Sequence, residues 1–437
     1  MILMSLVATV VVFRRMGPQL SGDFALAESF LVIWQSLDLT GVGTSTSVKL
    51  AIAIGERNDD EIRDLLAFYV KVNVAINLVI LVLIAVLGSV TAALLYNGNT
   101  RIVLLAVGLA IGAVADGLYG LVIIALQSRR SMRTMALMQN ANQAVLTGSL
   151  IVAALIRPTP ESLMIARVFY SYSTLIMALV VYERLRNQGQ AHYPPIRAIV
   201  ARARTVSARK YWRFGVANAI DKNIASLFTQ LPIQLVGIYA GAGAVGYLDL
   251  AMSAIGQAGV LTSAVMNNVE IVVPQAVGRR DFRGLWHNFR RVLLVMTVGS
   301  LIFFGALALF APLVIPPVLG ARWLPAIPAL AVLTLYGAIT TIGGLFGTLY
   351  RTFDLMGQAI GVKVIALVVV LPLGALWLSA ISGAQMPTTL FFGMTAAPIN
   401  VGGAGAAIGG WIINLAFGIS VALTALITLP ELRKRAT

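Results

Sequence analysis

Long apolar runs make up most of this chain, so the few charged and amide side chains inside them are the residues whose chemistry needs explaining. A charge held near the centre of a bilayer costs about 3 kcal/mol and normally faces the interior of a helix bundle. Gln35, Asp38, Val42, Ser45 and Lys49 follow 3, 4, 3 and 4 spacing, which predicts that Asp38 and Lys49 share one face of a helix over 23–54. Asp116 has Gly112, Gly117 and Gly120 around it, a setting for a close helix neighbour. Asn218, Lys222, Ser226 and Thr229 form another stripe with Asp221 beside it, and Asn267 and Glu270 lie further on. Lys222, with Asn218 and Asp221 beside it, suits an anion such as phosphate, and Lys49, Asn267 and Glu270 are further polar candidates. Asp38 and Asp116 suit ion coupling, because a carboxylate can be protonated in one conformation and ionised in another. Each has a structural alternative. Asp38 and Asp116 can serve packing alone, Asp221 and Lys222 can neutralise each other, and Lys49 and Arg167 can snorkel to an interface. Asp249, near a helix end, reads as solvated.

The elements that must position these residues are set by composition. Of 437 residues, 59% are hydrophobic and 11% charged, and the mean hydropathy is +0.88, which describes a polytopic all-α membrane protein. The formal charge of +15 sits mainly in short loops, where it sets topology, so no nucleic-acid partner is implied. Twelve helical runs are predicted, over 1–13, 23–54, 65–95, 102–126, 135–156, 163–182, 211–239, 246–277, 292–315, 325–349, 359–381 and 402–429. The first run is too short to cross about 30 Å of hydrocarbon and reads as the end of a truncated helix. Between the sixth and seventh runs lies a basic segment, 183–213, with eight Lys or Arg and with Pro194 and Pro195 to interrupt a helix. The chain therefore divides into an N-terminal six-helix bundle over 1–182, a linker over 183–213 and a C-terminal six-helix bundle over 214–437.

On this plan the side that carries the linker and C-terminus holds 22 Lys and Arg against 5 on the other, which predicts that the linker and C-terminus are cytoplasmic. Trp212, Trp286, Trp323 and Trp377 fall near predicted helix ends and read as interfacial anchors. The halves also resemble each other. Gly17, Gly22, Leu26, Ala27 and Ser29 recur as Gly241, Gly246, Leu250, Ala251 and Ser253, and Gly55 and Arg57 recur as Gly278 and Arg280. Six helices separate the copies, so the repeats are parallel and a central cavity between two bundles is expected.

Enzymatic readings have little to draw on. There is no Cys, and both His192 and His287 fall in predicted cytoplasmic segments. The longest outer loop, 381–402, has neither a charge nor a His, and no phosphate-binding loop motif occurs. No metal or cofactor is implied.

Arg15-Met16-Gly17-Pro18, the run from Gly22 to Ala27, and the run from Leu37 to Gly43 resemble the opening of polysaccharide flippases of the multidrug/oligosaccharidyl-lipid/polysaccharide (MOP) exporter superfamily. Gly241 to Ala251, Val273 to Gly278 and Gly320 to Pro328 resemble that family's C-terminal half. The chain departs from the family pattern at Thr229 to Ile233, where an Asp-Arg pair is common in the family, and this weakens a charge-for-charge mechanism. The resemblance implies a carrier that turns an oligosaccharide on a polyprenyl diphosphate from the inner to the outer leaflet of a bacterial cytoplasmic membrane by alternating access. It implies glycosyltransferases and a polysaccharide polymerase as partners and a cavity lined by the first two helices of each half, which selects Asp38, Lys49, Asp221, Lys222, Asn267 and Glu270. A proton or sodium gradient as drive is left open and rests on the carboxylates. A cation-coupled drug antiporter of the same superfamily and a lipid II flippase remain open as alternatives, although the latter branch resembles a fourteen-helix plan. A structural membrane partner of glycosyltransferases is a third reading.

Overall fold

The computed structural model describes residues 2–96, 98–129, 131–187, 194–207, 216–382 and 401–436, without the side chains of 2, 3, 44, 260–265, 267, 268, 271, 401 and 436. The described residues form α1 (Ile2–Gln35), α2 (Val42–Gly55), α3 (Asp59–Leu95), α4 (Thr100–Ser128), α5 (Met132–Ile156), α6 (Pro160–Asn187), α7 (Ile196–Ala203) and α8 (Val216–Gly278). Then follow α9 (Phe282–Leu319), a short 3₁₀ turn (Ala321–Ala326), α10 (Ile327–Thr352), α11 (Met356–Ser382) and α12 (Val401–Ala436). Eight of the described helices are long and apolar enough to cross a membrane, and the protein is an all-helical, multi-pass membrane protein.

Divided at kinks in α1 and α8, the helices follow the twelve predicted runs in order, except that the second run is split between the later part of α1 and α2, and α7 is added. The kinks fall on the repeat. Gly17 has φ 78° and ψ 171°, and Gly241 has φ 82° and ψ 172°, a backbone conformation that side-chain-bearing residues avoid. The second echo is equally local. Arg57 and Arg280 take φ of 56° and 58°, and each precedes a helix N-cap. Asn58 accepts from the Glu61 N–H at 3.1 Å, and Asp281 accepts from the Gly284 N–H at 2.9 Å.

Two compact units are formed, one from 1–15 with 30–223 and the other from 16–29 with 224–437. In the first, α4 packs on α3 and α6, α5 packs on α6, and α2 packs on α3 and α4. Its core includes Leu50, Leu65, Phe68, Leu126 and Tyr182. The described part of the basic linker is docked on this unit. Ile199 and Val206 are buried, the Lys71 ammonium donates to the Val206 carbonyl at 2.9 Å, Arg202 pairs with Asp64, and the Tyr182 hydroxyl donates to the Pro194 carbonyl at 2.9 Å.

In the second unit, α10 packs on α9 and α12, and α11 packs on α12. Here the repeat glycines permit a backbone crossing between the 18–29 and 242–253 stretches. A Cβ on Gly22 would lie 1.6 Å from the Ala242 carbonyl oxygen, and one on Gly246 would lie 2.0 Å from the Pro18 carbonyl oxygen. Trp323 is not an interfacial anchor: it is fully buried in the 3₁₀ turn, edge-on to Tyr247 with ring centroids 5.9 Å apart. Trp286 stacks against Arg290 near the start of α9, and Trp212 lies outside the described residues.

Candidate functional site

The predicted continuous helix over 23–54 is broken between α1 and α2. Residues 36–41 contain Ser36, Asp38, Thr40 and Gly41, side chains that compete with helical hydrogen bonds and a glycine with φ 55°. Asp38 Oδ1 accepts from the Thr40 N–H at 2.9 Å and from the Thr40 hydroxyl at 2.6 Å, which closes a local turn. The break also releases backbone carbonyls, which must find donors inside a membrane bundle. Asn223 Nδ2 supplies them, donating at 2.8 Å to both the Ser36 and the Asp38 carbonyl oxygens. Gln35, Asp38 and Lys49 consequently do not share a single uninterrupted helical face.

The break opens into a cavity of about 360 Å³ lined by Gln35, Asp38, Asn73, Ile76, Asn77, Ile80, Ala113, Asp116 and Gly117. Asp38 and Asp116, 78 positions apart in the sequence, thus face one space. Asn73 and Asn77 are one helical turn apart on α3, and Asn77 Nδ2 donates to the Asn73 carbonyl at 2.9 Å. A Cβ on Gly117 would stand 2.2 Å from Asn73 Oδ1, so glycine makes room for that amide. Asn73 Oδ1 is buried without a hydrogen-bond partner among the described residues. The Tyr69 hydroxyl donates to the Gly117 carbonyl at 2.9 Å and completes the wall beside α4. Behind the cavity, Ser171 and Arg167 are near enough to the Asp116 carboxylate to act on it electrostatically, and the Ser171 hydroxyl donates to the Arg167 carbonyl at 3.0 Å. Arg167 is half-buried with its guanidinium 5.6 Å from the Tyr170 ring centroid. Two carboxylates and three amides offer hard oxygen ligands for a proton or a small cation.

The other expected site residues distribute between the two units. In the first, Lys49 and Asn218 are half-buried, Asp221 is 2% exposed and Lys222 is exposed. In the second, the side chain of Asn267 lies outside the described residues, and Glu270 lines a cavity of about 250 Å³ built by α8, α10, α11 and α12. That cavity also holds Tyr350, Arg351 and Lys363, none of which the polar-stripe reading selected. Asp249 is half-buried beside Glu28 in the same unit, contrary to the expectation that it is solvated. Asn73, Asn77 and Asn223 were also passed over. Asn73 and Asn77 had a usable signal, two amides at i and i+4 inside an apolar run.

A family model described as polysaccharide biosynthesis protein matches residues 25–328. No curated protein sequence matches the chain. Among solved structures, an inward-facing multidrug resistance MATE family transporter of the MOP superfamily superposes with a TM-score of 0.71 at 15% identity, over 100% of this chain and 94% of that one. An outward-facing structure of a MATE family transporter gives a TM-score of 0.59 at 14% identity, over 100% and 92%. The lipid II flippase MurJ in an inward closed conformation gives 0.57 at 14% identity, over 99% and 89%. At these identities the likeness is one of fold.

Proposed function

The chain belongs to the polysaccharide biosynthesis protein family, and on that premise we propose that it is a transporter that turns a polyprenyl-diphosphate-linked oligosaccharide from the cytoplasmic to the outer leaflet of the bacterial cytoplasmic membrane. The observation that carries this reading is the pairing of that family match with a fold shared with membrane transporters, a lipid II flippase among them. Lys49 and Lys222 meet the diphosphate, while the half-buried Asn218 amide meets a sugar hydroxyl. The exposure of Lys222 supports its availability to an anion. Glycosyltransferases supply the cargo at the inner leaflet and a polysaccharide polymerase consumes it outside. The charge excess of 22 to 5 supports a cytoplasmic linker and C-terminus.

The cavity that contains Asp38 and Asp116 supports coupling to a proton or sodium gradient. A cation that neutralises the two carboxylates in one conformation and leaves in the other shifts the balance between inward-open and outward-open states by its differential affinity. The same cavity favours the second reading, a cation-coupled antiporter of small molecules. The two readings separate in cells that lack the protein. Flippase function predicts accumulation of lipid-linked glycan at the inner leaflet, restored export by the wild-type chain and no restoration by Lys222→Ala at equal membrane level. Restored drug efflux with unchanged glycan export would replace the flippase by the antiporter.

A further inference from the structure

The cavity in the second unit has the opposite electrostatic character to the one in the first. Arg351 lies in the last turn of α10 and Lys363 lies seven residues into α11, about 10 Å along the helix. Both cations converge on Tyr350: the Arg351 guanidinium is 5.8 Å and the Lys363 ammonium 5.6 Å from its ring centroid, and Lys363 Nζ is 3.5 Å from the Tyr350 hydroxyl. Among the described residues, Glu270 is the one carboxylate lining the cavity. It stands 3.9 Å from Arg351, with the two side chains 57% and 52% exposed, a loose contact that a competing anion can replace. Two cations and one carboxylate leave the cavity positive, which disfavours a cation as its occupant. Thr340 and Thr424 donate their hydroxyl protons to carbonyls of their own helices, so Arg351 and Lys363 are its principal donors.

The remaining walls are apolar or bare, with Phe228, Phe346 and Phe417 set against Gly343, Gly344 and Gly347. The Arg351 end lies beside the basic terminus of α12, where the Arg435 guanidinium is 4.8 Å from the Phe353 ring centroid. The cavity thus begins near a charged helix end and runs inward to Thr340, eleven residues and about 16 Å along α10. Its volume of about 250 Å³ gives room for a small oxyanion. Basic pockets between membrane helices are suited to phosphate head groups.

We infer that this cavity is a second recognition site for the diphosphate of a polyprenyl carrier, separate from Lys49 and Lys222, with Arg351 and Lys363 pairing with phosphate oxygens and Tyr350 orienting Lys363. Glu270 holds Arg351 when the site is empty and gives it up to the anion. Naming the polyprenyl carrier as the source rests on the flippase reading. The chemistry itself, a lipid phosphate oxyanion, is shared with ordinary anionic phospholipids.

The test uses the purified full chain in phosphatidylcholine nanodiscs, titrated with farnesyl diphosphate and with farnesol. Farnesyl diphosphate should bind and farnesol should not compete. Lys363→Gln and Arg351→Gln should each weaken binding about tenfold, the loss of one charge-assisted contact. Lys363→Arg should retain it, and Glu270→Gln should tighten it. Wild-type affinity in both glutamine variants would overturn the site, as would equal binding of farnesol. Displacement of farnesyl diphosphate by phosphatidylglycerol in the wild type but not in Lys363→Gln would overturn the assignment to a diphosphate. Glycan translocation by the wild type with unaltered binding in the variants would remove the site and leave the flippase. Lys363-dependent binding without translocation would do the reverse.

Discussion

Removing the side-chain amide of Asn223 tests whether the helix break at 36–41 is a built feature of the transport machinery. One –NH₂ group directs its two hydrogens at the Ser36 and Asp38 carbonyls, each 2.8 Å away. In Asn223→Ala both acceptors lose that donor, and a buried polar group left unsatisfied costs about 1–3 kcal/mol. Both carbonyls are only part-buried, so the total stays near the lower end, about 2 kcal/mol. Asn223→Asp removes the donors as well and sets a carboxylate against two carbonyl oxygens, so it should be the less stable variant. Thermal unfolding in one detergent, followed by tryptophan fluorescence, should order the midpoints as wild type, then Asn223→Ala, then Asn223→Asp. Glycan export should fall in the same order, since Asp38 is carried by the segment that Asn223 holds. A midpoint for Asn223→Ala equal to wild type, together with full export, would refute the argument that this amide supports the break.

The crossing of the two repeat glycines predicts that Gly246→Ala lowers the unfolding midpoint, because its Cβ would meet backbone and not a flexible side chain. Overpacking of this kind costs about 1–3 kcal/mol, and an unchanged midpoint would show that the helices separate freely. Asp38→Asn, and independently Asp116→Asn, should keep cargo binding and lose the dependence of flipping on an imposed proton or sodium gradient. Unchanged gradient dependence in both would remove the cavity from coupling. The chain has no cysteine, so single tags at Gln188 and Gln385 report topology without background, and they should label from opposite faces of the membrane. Labelling of both from outside would reverse the assignment drawn from the basic residues.

The architecture was legible because it rests on long apolar runs and on a repeat fixed by backbone geometry. Gly17 and Gly241 recur in the sequence and share one left-handed conformation, and Arg57 and Arg280 recur at equivalent turns. The break between α1 and α2 had a signal in Ser36, Asp38, Thr40 and Gly41, but helical spacing between Asp38 and Lys49 masked it. Periodicity orders residues within one helix and says little about convergence between helices. It therefore found Asp38 without joining it to Asp116, which the surrounding glycines marked, and it passed over Asn223, whose role depends on carbonyls far away in the sequence. Arg351 read as a loop charge, and Lys363 stood alone in an apolar run. Only packing brings both to Tyr350. Trp323 misled for a related reason, since its nearness to a helix end places it by sequence while the 3₁₀ turn folds it inward.

The most direct measurement reconstitutes the purified chain in liposomes that carry a fluorescent polyprenyl-diphosphate-linked oligosaccharide and follows its transfer between leaflets with a membrane-impermeant quencher. The account predicts transfer that requires the protein, responds to a proton or sodium gradient, and is lost in Lys222→Ala. Transfer at the rate of protein-free liposomes, in both the presence and the absence of a gradient, would contradict it.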